Sequence, residues 1–485
     1  MSSTSADAET TEKKDKPRPV ERTVKSQRSI EIAGEVVRYT ATAGTLFLKD
    51  DKDEPRAEVF YVAYTRDVPD PTVRPVTFAF NGGPGSASVW LHLGALGPRR
   101  VEASDADATP PPPNRLVDNE HSILDVTDLV FIDPVGTGWS RVLGDVEASE
   151  FHGVKEDVAS VAEVIQRWTS RNGRWASPRF LAGESYGATR AASLAAHLAT
   201  EGMMVNGVVL VSAALMFQTL VFETGNDLPY VLYLPGYAAT AAYHDRLVRP
   251  PKDRAAFLRE VERFAIEEYA PALMLGAALP VERRDALAET LGSMTGLDPR
   301  VWRQHELRVG LGRFCRELLR DEGRIVGRLD SRFTGFLAED SDDPGEEDPS
   351  LYYPYGPYTT AIQDYLCREL GYEEERRYEV LSFSVNEGWK WTDDEAKRHG
   401  FINAAADLRR AMVHNPHLRV LFASGYYDLA TPYFASVHTA RHLGREPSIR
   451  AHVAETFYEA GHMMYLHEPS RGVLRDDLLK LIRGE

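Results

Sequence analysis

Apolar residues in the first half of the chain occur in short runs that alternate with longer, helix-like runs. Four runs near the N-terminus predict an antiparallel edge of a sheet: 29–32, 35–40, 45–48 and 57–64. Four strongly apolar runs predict further strands: 76–80, 128–132, 179–182 and 207–212. Together with a helix predicted at 154–169, this alternation favours a mainly parallel sheet flanked by helices.

The pattern changes after residue 214. The segment 215–375 is rich in helix-like runs and poor in strands, with helices predicted at 253–269 and 281–291. Its acidic, proline-containing stretch 339–349 is interpreted as a solvated loop. Further strands are predicted at 418–424 and 450–453, and further helices at 404–412 and 470–482.

These patterns predict a sheet domain in two parts, 27–214 and 376–485, with 215–375 inserted between them as a helical cap. Residues 1–26 are polar and lack periodic apolar positions, so we expect a disordered tail there. The same residues contain several acids and lack the apolar core of a secretory signal, and no apolar run approaches membrane-spanning length. The cytoplasm is therefore the default expectation.

The most informative segment is Gly183-Glu184-Ser185-Tyr186-Gly187, which follows the predicted strand 179–182 and opens a helix-like run. Strand, Gly-x-Ser-x-Gly and helix in succession are typical of a nucleophile elbow. The two small residues allow a sharp turn that exposes the serine Oγ beside a helix N-terminus. The alternative is an ordinary strand-to-helix turn that happens to carry a serine. The surrounding pattern favours the elbow.

A serine nucleophile needs a histidine base and a carboxylate that orients it. In α/β-hydrolases the chain order is Ser, acid, His. Asp428 follows the predicted strand 418–424, and His462 follows the last predicted strand beside Gly461. Among 14 histidines, the position of His462 makes it the candidate base. A simple turn residue is the alternative role for Asp428.

Acyl transfer also needs donors for a developing oxyanion. The backbone N–H of the residue after the nucleophile, here Tyr186, supplies one such donor. The glycine-rich loop 81–85 can supply another, because a backbone without Cβ approaches a ligand closely. The alternative interpretation of this loop is a plain tight turn.

Composition narrows the function classes. A net charge of −17 argues against general binding of nucleic acid or anionic membranes, which normally requires a basic surface. The two cysteines, Cys315 and Cys367, form no Cys-x-x-Cys pair, which disfavours a disulfide framework and a thiolate zinc site. Two free thiols are expected, although one bridge stays open. No metal or phosphate-binding motif occurs, so no cofactor is implied. The oligomeric state stays open, a homodimer included.

Five sequence blocks occur together in one order. They are Asn81-Gly82-Gly83-Pro84-Gly85-Ser86, Asp133-Pro134-Val135-Gly136-Thr137-Gly138-Trp139-Ser140, Gly183-Glu184-Ser185-Tyr186-Gly187, the Asp428 turn and Gly461-His462. In order and spacing the chain resembles the serine carboxypeptidases, over about 75–215 and again from about 400 to its end. The resemblance implies an α/β-hydrolase fold and a peptidase that releases C-terminal amino acids through an acyl-enzyme.

The resemblance also implies a role for each matching residue. Ser185 resembles the nucleophile, His462 the base and Asp428 its partner, the Gly83 and Tyr186 amides the oxyanion hole, and Asn81, Gly82 and Glu184 the group that binds the substrate's terminal carboxylate. A carboxylate beside Glu184 would repel it, so the pKa of Glu184 should rise until the two groups share a proton. The predicted partner is therefore a peptide with a free C-terminus, bound at acidic or near-neutral pH.

The chain also departs from the family. Members are commonly secreted or vacuolar and held by disulfides, whereas this sequence shows no signal and has two cysteines. Ser86 stands where cysteine is frequent, and Ala79 stands where tryptophan is frequent beside the carboxylate-binding Asn. Because 215–375 matches poorly, this segment is expected to shape the pocket and the substrate preference.

Two other functions stay open. An esterase or acyltransferase would use the same three residues with a different acyl acceptor or pocket. A catalytically silent binding protein would use the cap as a docking surface. Fold alone does not separate these functions.

Overall fold

The computed structural model describes residues 19–102, 105–106, 111–337, 348–392 and 400–485. Its strands are β1 (Thr23–Ile32), β2 (Glu35–Lys49), β3 (Pro55–Arg66), β4 (Val76–Phe80), β5 (Arg99–Val101), β6 (Leu116–Asp118), β7 (Asp128–Ile132), β8 (Arg141–Val142), β9 (Arg179–Glu184), β10 (Gly207–Val211), β11 (Arg324–Val326), β12 (Thr334–Phe336), β13 (Arg419–Gly425) and β14 (Val453–Tyr458).

The α-helices are α1 (Val154–Arg171), α2 (Tyr186–Thr200), α3 (Leu228–Tyr243), α4 (Arg254–Phe264), α5 (Ala270–Leu275), α6 (Val281–Thr295), α7 (Pro299–Gln304), α8 (Leu311–Glu317), α9 (Pro349–Asp364), α10 (Phe383–Glu387), α11 (Ala404–His414), α12 (Tyr433–His442), α13 (Pro447–Arg450) and α14 (Glu468–Arg483). Short π-helical segments lie at Leu91–Leu96, Ala265–Tyr269 and Tyr365–Glu369.

One mixed sheet organises the chain. Its strand order is β1-β2-β3-β7-β4-β9-β10-β13-β14, and β8 pairs with β3. The strands from β1 to β7 in this order pair antiparallel, and those from β7 to β14 pair parallel. The predicted antiparallel edge and parallel centre are thus confirmed, and the fold is that of an α/β-hydrolase.

Helices cover both faces of the parallel part, which is why β4, β7 and β10 are buried throughout. On one face, α1, α2 and α11 contribute Ile165, Leu194 and Leu408 to a core against the sheet. On the other face, α9 and α14 contribute Ile362 and Leu474 to a second core. Burial of apolar side chains on both faces fixes the sheet in the centre of the molecule.

The helices between β10 and β11 form a third core. Tyr237 of α3 stacks on Phe314 of α8 with ring centroids 4.0 Å apart, and Trp302 is buried nearby. Tyr427 and Leu429, in the loop after β13, belong to the same core. These helices therefore pack against the carboxyl edge of the sheet. The predicted domain boundaries at 215 and 375 stay a prediction.

Most predicted elements are present, with two differences. The prediction of a strand at 450–453 was wrong. Helix α13, which begins at Pro447, ends at Arg450, and the strand β14 starts only at Val453. Much of β14 is exposed at the sheet edge, so it lacks the apolar run that marks the central strands. Strand β1 begins at Thr23, inside the predicted tail. Residues 339–347 of the acidic stretch 339–349 lie outside the described residues.

Both cysteines are free thiols, as predicted. Cys315 is buried in α8, and Cys367 is half-buried. Burial raises the pKa of the Cys315 thiol well above its usual range, so it packs as an apolar group. Of the helices in the described ranges, none combines the length and the apolar character that crossing a bilayer requires.

Candidate active site

Four parallel strands deliver the predicted site residues to one edge of the sheet. The glycine loop follows β4, Ser185 follows β9, Asp428 follows β13 and His462 follows β14. Because these strands are parallel, their carboxyl ends meet at the same edge, where ligands bind in open α/β sheets. Residues up to 381 positions apart in the sequence (81 to 462) therefore meet in one place.

Ser185 occupies a strained turn between β9 and α2. Its backbone has φ 61° and ψ −124°, a conformation that residues other than Gly rarely adopt. A Cβ on Gly183 would lie 2.0 Å from the carbonyl oxygen of Gly187, so only glycine permits this close approach. The Ser185 N–H donates to Val211 O at 2.9 Å, which ties the turn to β10. The predicted nucleophile elbow is thus present as a backbone geometry.

The glycine loop after β4 lies directly against this elbow. A Cβ on Gly82 would lie 2.4 Å from the Tyr186 amide nitrogen, and one on Gly187 would lie 2.7 Å from Phe80 O. Gly83 has φ +98°, which turns its backbone in a way that favours glycine. Within the described ranges the N–H groups of Gly83 and Tyr186 donate to no protein acceptor. Both predicted oxyanion donors are therefore available for a ligand.

His462 and Asp428 form a buried pair. Nδ1 of His462 lies 2.8 Å from Oδ2 of Asp428. The Asp428 side chain is fully buried and that of His462 is nearly so. The carboxylate holds the imidazole with Nδ1 as the donor, which leaves Nε2 available as a base.

Thr431 and Ser212 hold this pair in place. Thr431 Oγ1 donates to Asp428 Oδ2 at 2.7 Å, and its N–H donates to Oδ1 of the same carboxylate at 2.9 Å. The N–H of Ala430 donates to that Oδ1 at 2.8 Å. Ser212 Oγ donates to the carbonyl of His462 at 2.7 Å. Several donors thus compensate the buried carboxylate and fix its orientation.

Opposing effects set the pKa of His462. Burial by itself lowers the pKa, because it disfavours the charged imidazolium. Attraction to Asp428, the hydrogen bond between them and the charge of Glu184 outweigh burial, so the pKa of His462 is raised above its ordinary value. The pair therefore stabilises the imidazolium that forms when the histidine accepts a proton.

A cavity of about 160 Å³ opens beside these residues. Ser185 and His462 both line it, together with Asn81, Gly82, Gly83, Ser86, Trp90, Glu184, Arg328, Leu329, Leu351, Leu381 and Met463. Ser185 is half-buried. Across the described residues no hydrogen bond joins Ser185 Oγ to His462. In the predicted relay, Asp428 and His462 are therefore hydrogen-bonded to each other, while Ser185 lines the same cavity as His462. Such bonds often tighten only when substrate is bound.

Glu184 is a buried carboxyl group beside the nucleophile. Only 3% of its surface is exposed, and Oε2 accepts a 2.9 Å hydrogen bond from Tyr465 Oη. Burial raises the pKa of Glu184 to about 7, against the opposing effects of His462, Tyr465 and a hydrogen bond from Asn81. Near neutral pH the group is therefore partly protonated and can donate a hydrogen bond into the cavity.

Asn81 is anchored on both sides. Its Oδ1 accepts from the Leu91 N–H at 3.0 Å, and its backbone carbonyl accepts from Arg190 Nη1 at 2.6 Å. Arg190, in helix α2, forms a buried 2.8 Å ion pair with Asp157 of α1. The helix that begins at the elbow thus also holds the glycine loop, so Ser185 and the predicted oxyanion donors share one support.

The structure adds several residues that the sequence did not single out. Thr431 follows Asp428 by three positions, the spacing of a local side-chain cap, which is a readable signal. Tyr465, Asp330 and Arg328 carry no comparable signal, because they reach the site only through tertiary packing. No group of three or more His, Cys, Asp or Glu side chains in the described ranges is arranged to hold a metal ion.

The sheet order, the elbow and the buried Asp–His pair define a hydrolase of the α/β-hydrolase fold. More specifically, residues 35–208, about a third of the chain, match the family model Peptidase_S10, described as serine carboxypeptidase. The resemblance predicted from the motifs is confirmed over this segment. The segment contains the glycine loop and Ser185, and it ends before Asp428 and His462.

Several solved structures are distantly similar. A proline iminopeptidase from Mycobacterium smegmatis has 14% identity and a TM-score of 0.37, covering 95% of this chain and 99% of its own. A thermostable carboxyl esterase from Bacillus coagulans has 12% identity and a TM-score of 0.37, and the match covers 91% of this chain and 97% of the esterase. A juvenile hormone epoxide hydrolase from the silkworm Bombyx mori has 13% identity and a TM-score of 0.35, and the match covers 92% of this chain and 78% of the epoxide hydrolase. No curated protein sequence matches this chain significantly.

Proposed function

We propose that this protein is a serine carboxypeptidase-like peptidase that releases C-terminal amino acids from peptides. The observation that carries the proposal is the position of Glu184. This buried carboxyl group, with a pKa of about 7, lines the same small cavity as Ser185 and His462. A protonated carboxyl beside the nucleophile suits a substrate whose own carboxylate lies next to the scissile bond.

The reaction begins with attack of Ser185 Oγ on the carbonyl carbon of the last peptide bond. His462 Nε2 takes the hydroxyl proton as the C–O bond forms, and Asp428 holds the imidazolium through Nδ1. His462 then gives the proton to the leaving nitrogen as the C–N bond breaks. Water, deprotonated by the same histidine, then attacks the acyl carbon, and His462 returns the proton to Ser185 Oγ as the ester C–O bond breaks.

The oxyanion of each tetrahedral intermediate would accept hydrogen bonds from the backbone N–H groups of Gly83 and Tyr186. Both groups lack protein acceptors in the described part of the chain, so no internal bond must break. Preorganised donors of this kind each contribute roughly 3 kcal/mol to transition-state stabilisation. The close contact between Gly82 and the Tyr186 amide holds the two donors side by side.

Glu184 and Asn81 would bind the terminal carboxylate. Below a pH of about 7, protonated Glu184 donates a hydrogen bond to that carboxylate, and the Asn81 amide can donate a second. Above this pH the ionised glutamate would repel the substrate. An amidated C-terminus lacks the negative charge that this arrangement favours.

The size of the cavity supports recognition of a chain end. Its volume of about 160 Å³ is small beside the roughly 300–1,000 Å³ typical of pockets for drug-sized ligands. Such a space encloses one end of a peptide while the remaining residues lie outside. Trp90, Leu381 and Met463 supply apolar contacts around it.

The test compares two N-blocked peptides that differ only in a free or amidated C-terminus, assayed with the wild-type protein and with Ser185→Ala. We expect release of the terminal amino acid from the free acid, much slower reaction of the amide, and loss of both reactions in the variant. Equal rates on acid and amide would remove the assigned role of Glu184 and Asn81.

Two further measurements separate the alternatives. Faster turnover of simple esters than of any peptide would favour an esterase or acyltransferase. A fluorophosphonate probe should label wild-type protein at Ser185 and leave Ser185→Ala unlabelled. Failure to label folded wild-type protein would favour a silent binding protein. Ser193→Ala, which changes another serine of α2, is the matched control.

A further inference from the structure

Arg328 brings a guanidinium group to the cavity beside the nucleophile. It lies just after β11, inside the predicted insertion 215–375 and outside the matched family segment. Among the described residues that line the cavity, Arg328 is the one with a Lys or Arg side chain. Its positive charge lowers the pKa of His462, which places it within electrostatic reach of the base. A cation therefore faces the space where substrate would lie.

The backbone of Arg328 is fixed relative to the Asp–His pair. The carbonyl of Arg328 accepts from the Leu429 N–H at 3.0 Å, next to Asp428. The carbonyl of Leu329 accepts from the His462 N–H at 2.7 Å. The segment thus bridges the loop of the acid and the loop of the base. The guanidinium projects from a rigid attachment point.

The charge of Arg328 is only partly balanced by the protein. Its nearest carboxylate is Asp348, with 3.8 Å between Arg328 Nε and Oδ2, which is too long for a hydrogen bond. The Asp348 oxygens already accept from the backbone N–H groups of Arg328, Leu329 and Ser350 at 3.0–3.3 Å. In the described part of the chain, the terminal Nη atoms of Arg328 donate to no acceptor.

A neighbouring arginine shows what full pairing looks like. Arg332 donates from Nε to Asp330 Oδ1 at 3.0 Å and from Nη2 to Oδ2 at 2.7 Å, and Nη1 lies 3.0 Å from Asp105. Its side chain is 4% exposed, whereas that of Arg328 is 35% exposed. Arg332 therefore has a structural role, while Arg328 keeps a planar donor fork free for a ligand carboxylate.

We infer that Arg328 selects substrates that carry an acidic side chain next to the scissile bond, in addition to the terminal carboxylate. This inference rests on the proposed function, and it deepens that function by naming a substrate class. The acidic side chain would belong either to the terminal residue or to the residue before it. Apolar neighbours such as Leu329 and Leu351 accommodate the aliphatic part of a glutamate.

The experiment uses N-blocked peptides with Glu or Gln at the last position, and a second pair with Glu or Gln at the position before it. Wild-type protein should prefer Glu over Gln about tenfold in kcat/KM at one of the two positions, since a half-exposed charge-assisted pair is worth roughly one power of ten. The preference should fall as salt concentration rises.

Three variants make the test specific. Arg328→Gln should remove the preference by slowing only the Glu peptide, and Arg328→Lys should restore part of it. Arg300→Gln, which removes a highly exposed arginine from α7, should leave the preference unchanged. A wild-type protein without preference at either position would overturn the inference. Equal slowing of Glu and Gln peptides in Arg328→Gln would also overturn it, since Arg328 would then bind the terminal carboxylate or act structurally.

A second readout keeps this test separate from the peptidase proposal. The same peptides, used at graded concentrations, should protect Ser185 from fluorophosphonate labelling, and the Glu peptide should protect at about tenfold lower concentration. This selectivity should vanish in Arg328→Gln. Protection with that selectivity but without cleavage would refute the peptidase and support the role of Arg328. Cleavage without selectivity would support the peptidase and refute the role of Arg328.

Discussion

Asp330 accepts a 3.0 Å hydrogen bond from the N–H of Gly461, the residue immediately before His462. The adjacent Ser331 N–H donates to Tyr427 O at 2.9 Å, immediately before Asp428. One short segment after β11 therefore touches the loops of both members of the Asp–His pair. A segment from the middle of the chain thus positions two residues that come from its last quarter.

Replacing Asp330 should impair positioning and stability together. In Asp330→Asn the buried Arg332 loses one of its two carboxylate partners and keeps Asp105, and breaking such a buried pair typically costs about 3 kcal/mol of unfolding free energy. A small displacement of His462 should lower kcat by roughly 100-fold with little change in KM. Denaturant unfolding and steady-state kinetics measure the two effects. Asp298→Asn, at an exposed ion pair, should change neither. Unchanged kcat in Asp330→Asn would contradict the positioning role.

Removing the charge of Asp428 should separate geometry from catalysis. Asp428→Asn keeps the size of the side chain but no longer stabilises the imidazolium, so kcat should fall by about 10⁴-fold, the loss that the same change causes in a known Ser-His-Asp triad. Because Asp428 raises the pKa of His462, the rising limb of the pH–rate profile should move to lower pH in the variant. Retention of most activity would contradict the assigned role of Asp428.

Glu184 should set the upper pH limit for free-acid substrates. Its pKa of about 7 means that the protonated form prevails below this value and is lost above it. KM for a free-acid peptide should therefore rise up to tenfold per pH unit above about 7, and KM in Glu184→Gln should not. Tyr465→Phe should shift the break upward, because the Tyr465 hydrogen bond lowers the pKa of Glu184. A pH-independent KM in the wild-type protein would exclude this role.

The contact between the glycine loop and the elbow should not tolerate a side chain. A Cβ on Gly82 would lie 2.4 Å from the Tyr186 nitrogen, so Gly82→Ala should displace one oxyanion donor and lower kcat by about 10²–10³-fold. Gly356→Ala is the matched control, since this exposed position in α9 has open space around it. That control should keep full activity and gain up to about 1 kcal/mol of stability. An active Gly82→Ala protein would contradict the proposed donor arrangement.

Asp133 should make stability depend on pH. Burial raises its pKa to about 6, although hydrogen bonds from Tyr378 Oη at 2.7 Å and from the Ser88 N–H at 2.9 Å lower it. The folded protein binds this proton more tightly than the unfolded chain, so its contribution is present below pH 4 and is lost as pH rises to about 6. The loss amounts to about 3 kcal/mol. Denaturant unfolding between pH 4 and pH 7 should show a flatter dependence in Asp133→Asn. The same pH dependence of the unfolding free energy in both proteins would refute this role of Asp133.

Asp133 also shows how a motif can have a structural role. The sequence block that begins at Asp133 resembles the carboxypeptidases, yet its carboxylate lies among the backbone of Ser88 and the ring of Tyr378. A Cβ on Gly138 would lie 1.9 Å from Asp133 Oδ2, which explains the glycine within the block. The block therefore fixes the backbone at Ser88, three residues after the glycine loop 81–85. It does not line the cavity described here.

The elements that the sequence predicted well are those with strong local patterns. Strands β4, β7 and β10 are buried on both faces, so each appears as a predominantly apolar run. The elbow is readable from local sequence because a Cβ on Gly183 would meet Gly187 O only four residues away. The glycine at 187 is instead required by the distant Phe80 O. By contrast, β14 lies at an exposed edge and was predicted several residues too early.

The sequence by itself determined the sheet class, the strained serine turn, and the order of Ser185, Asp428 and His462. Each of these depends on local backbone chemistry or on spacing along the chain. Only the tertiary structure decided which side chains surround them. Tyr465 on Glu184, Asp330 on the loop of His462 and Arg328 in the cavity come from distant segments. Their positions follow from packing between elements, which leaves no periodic signal in the sequence.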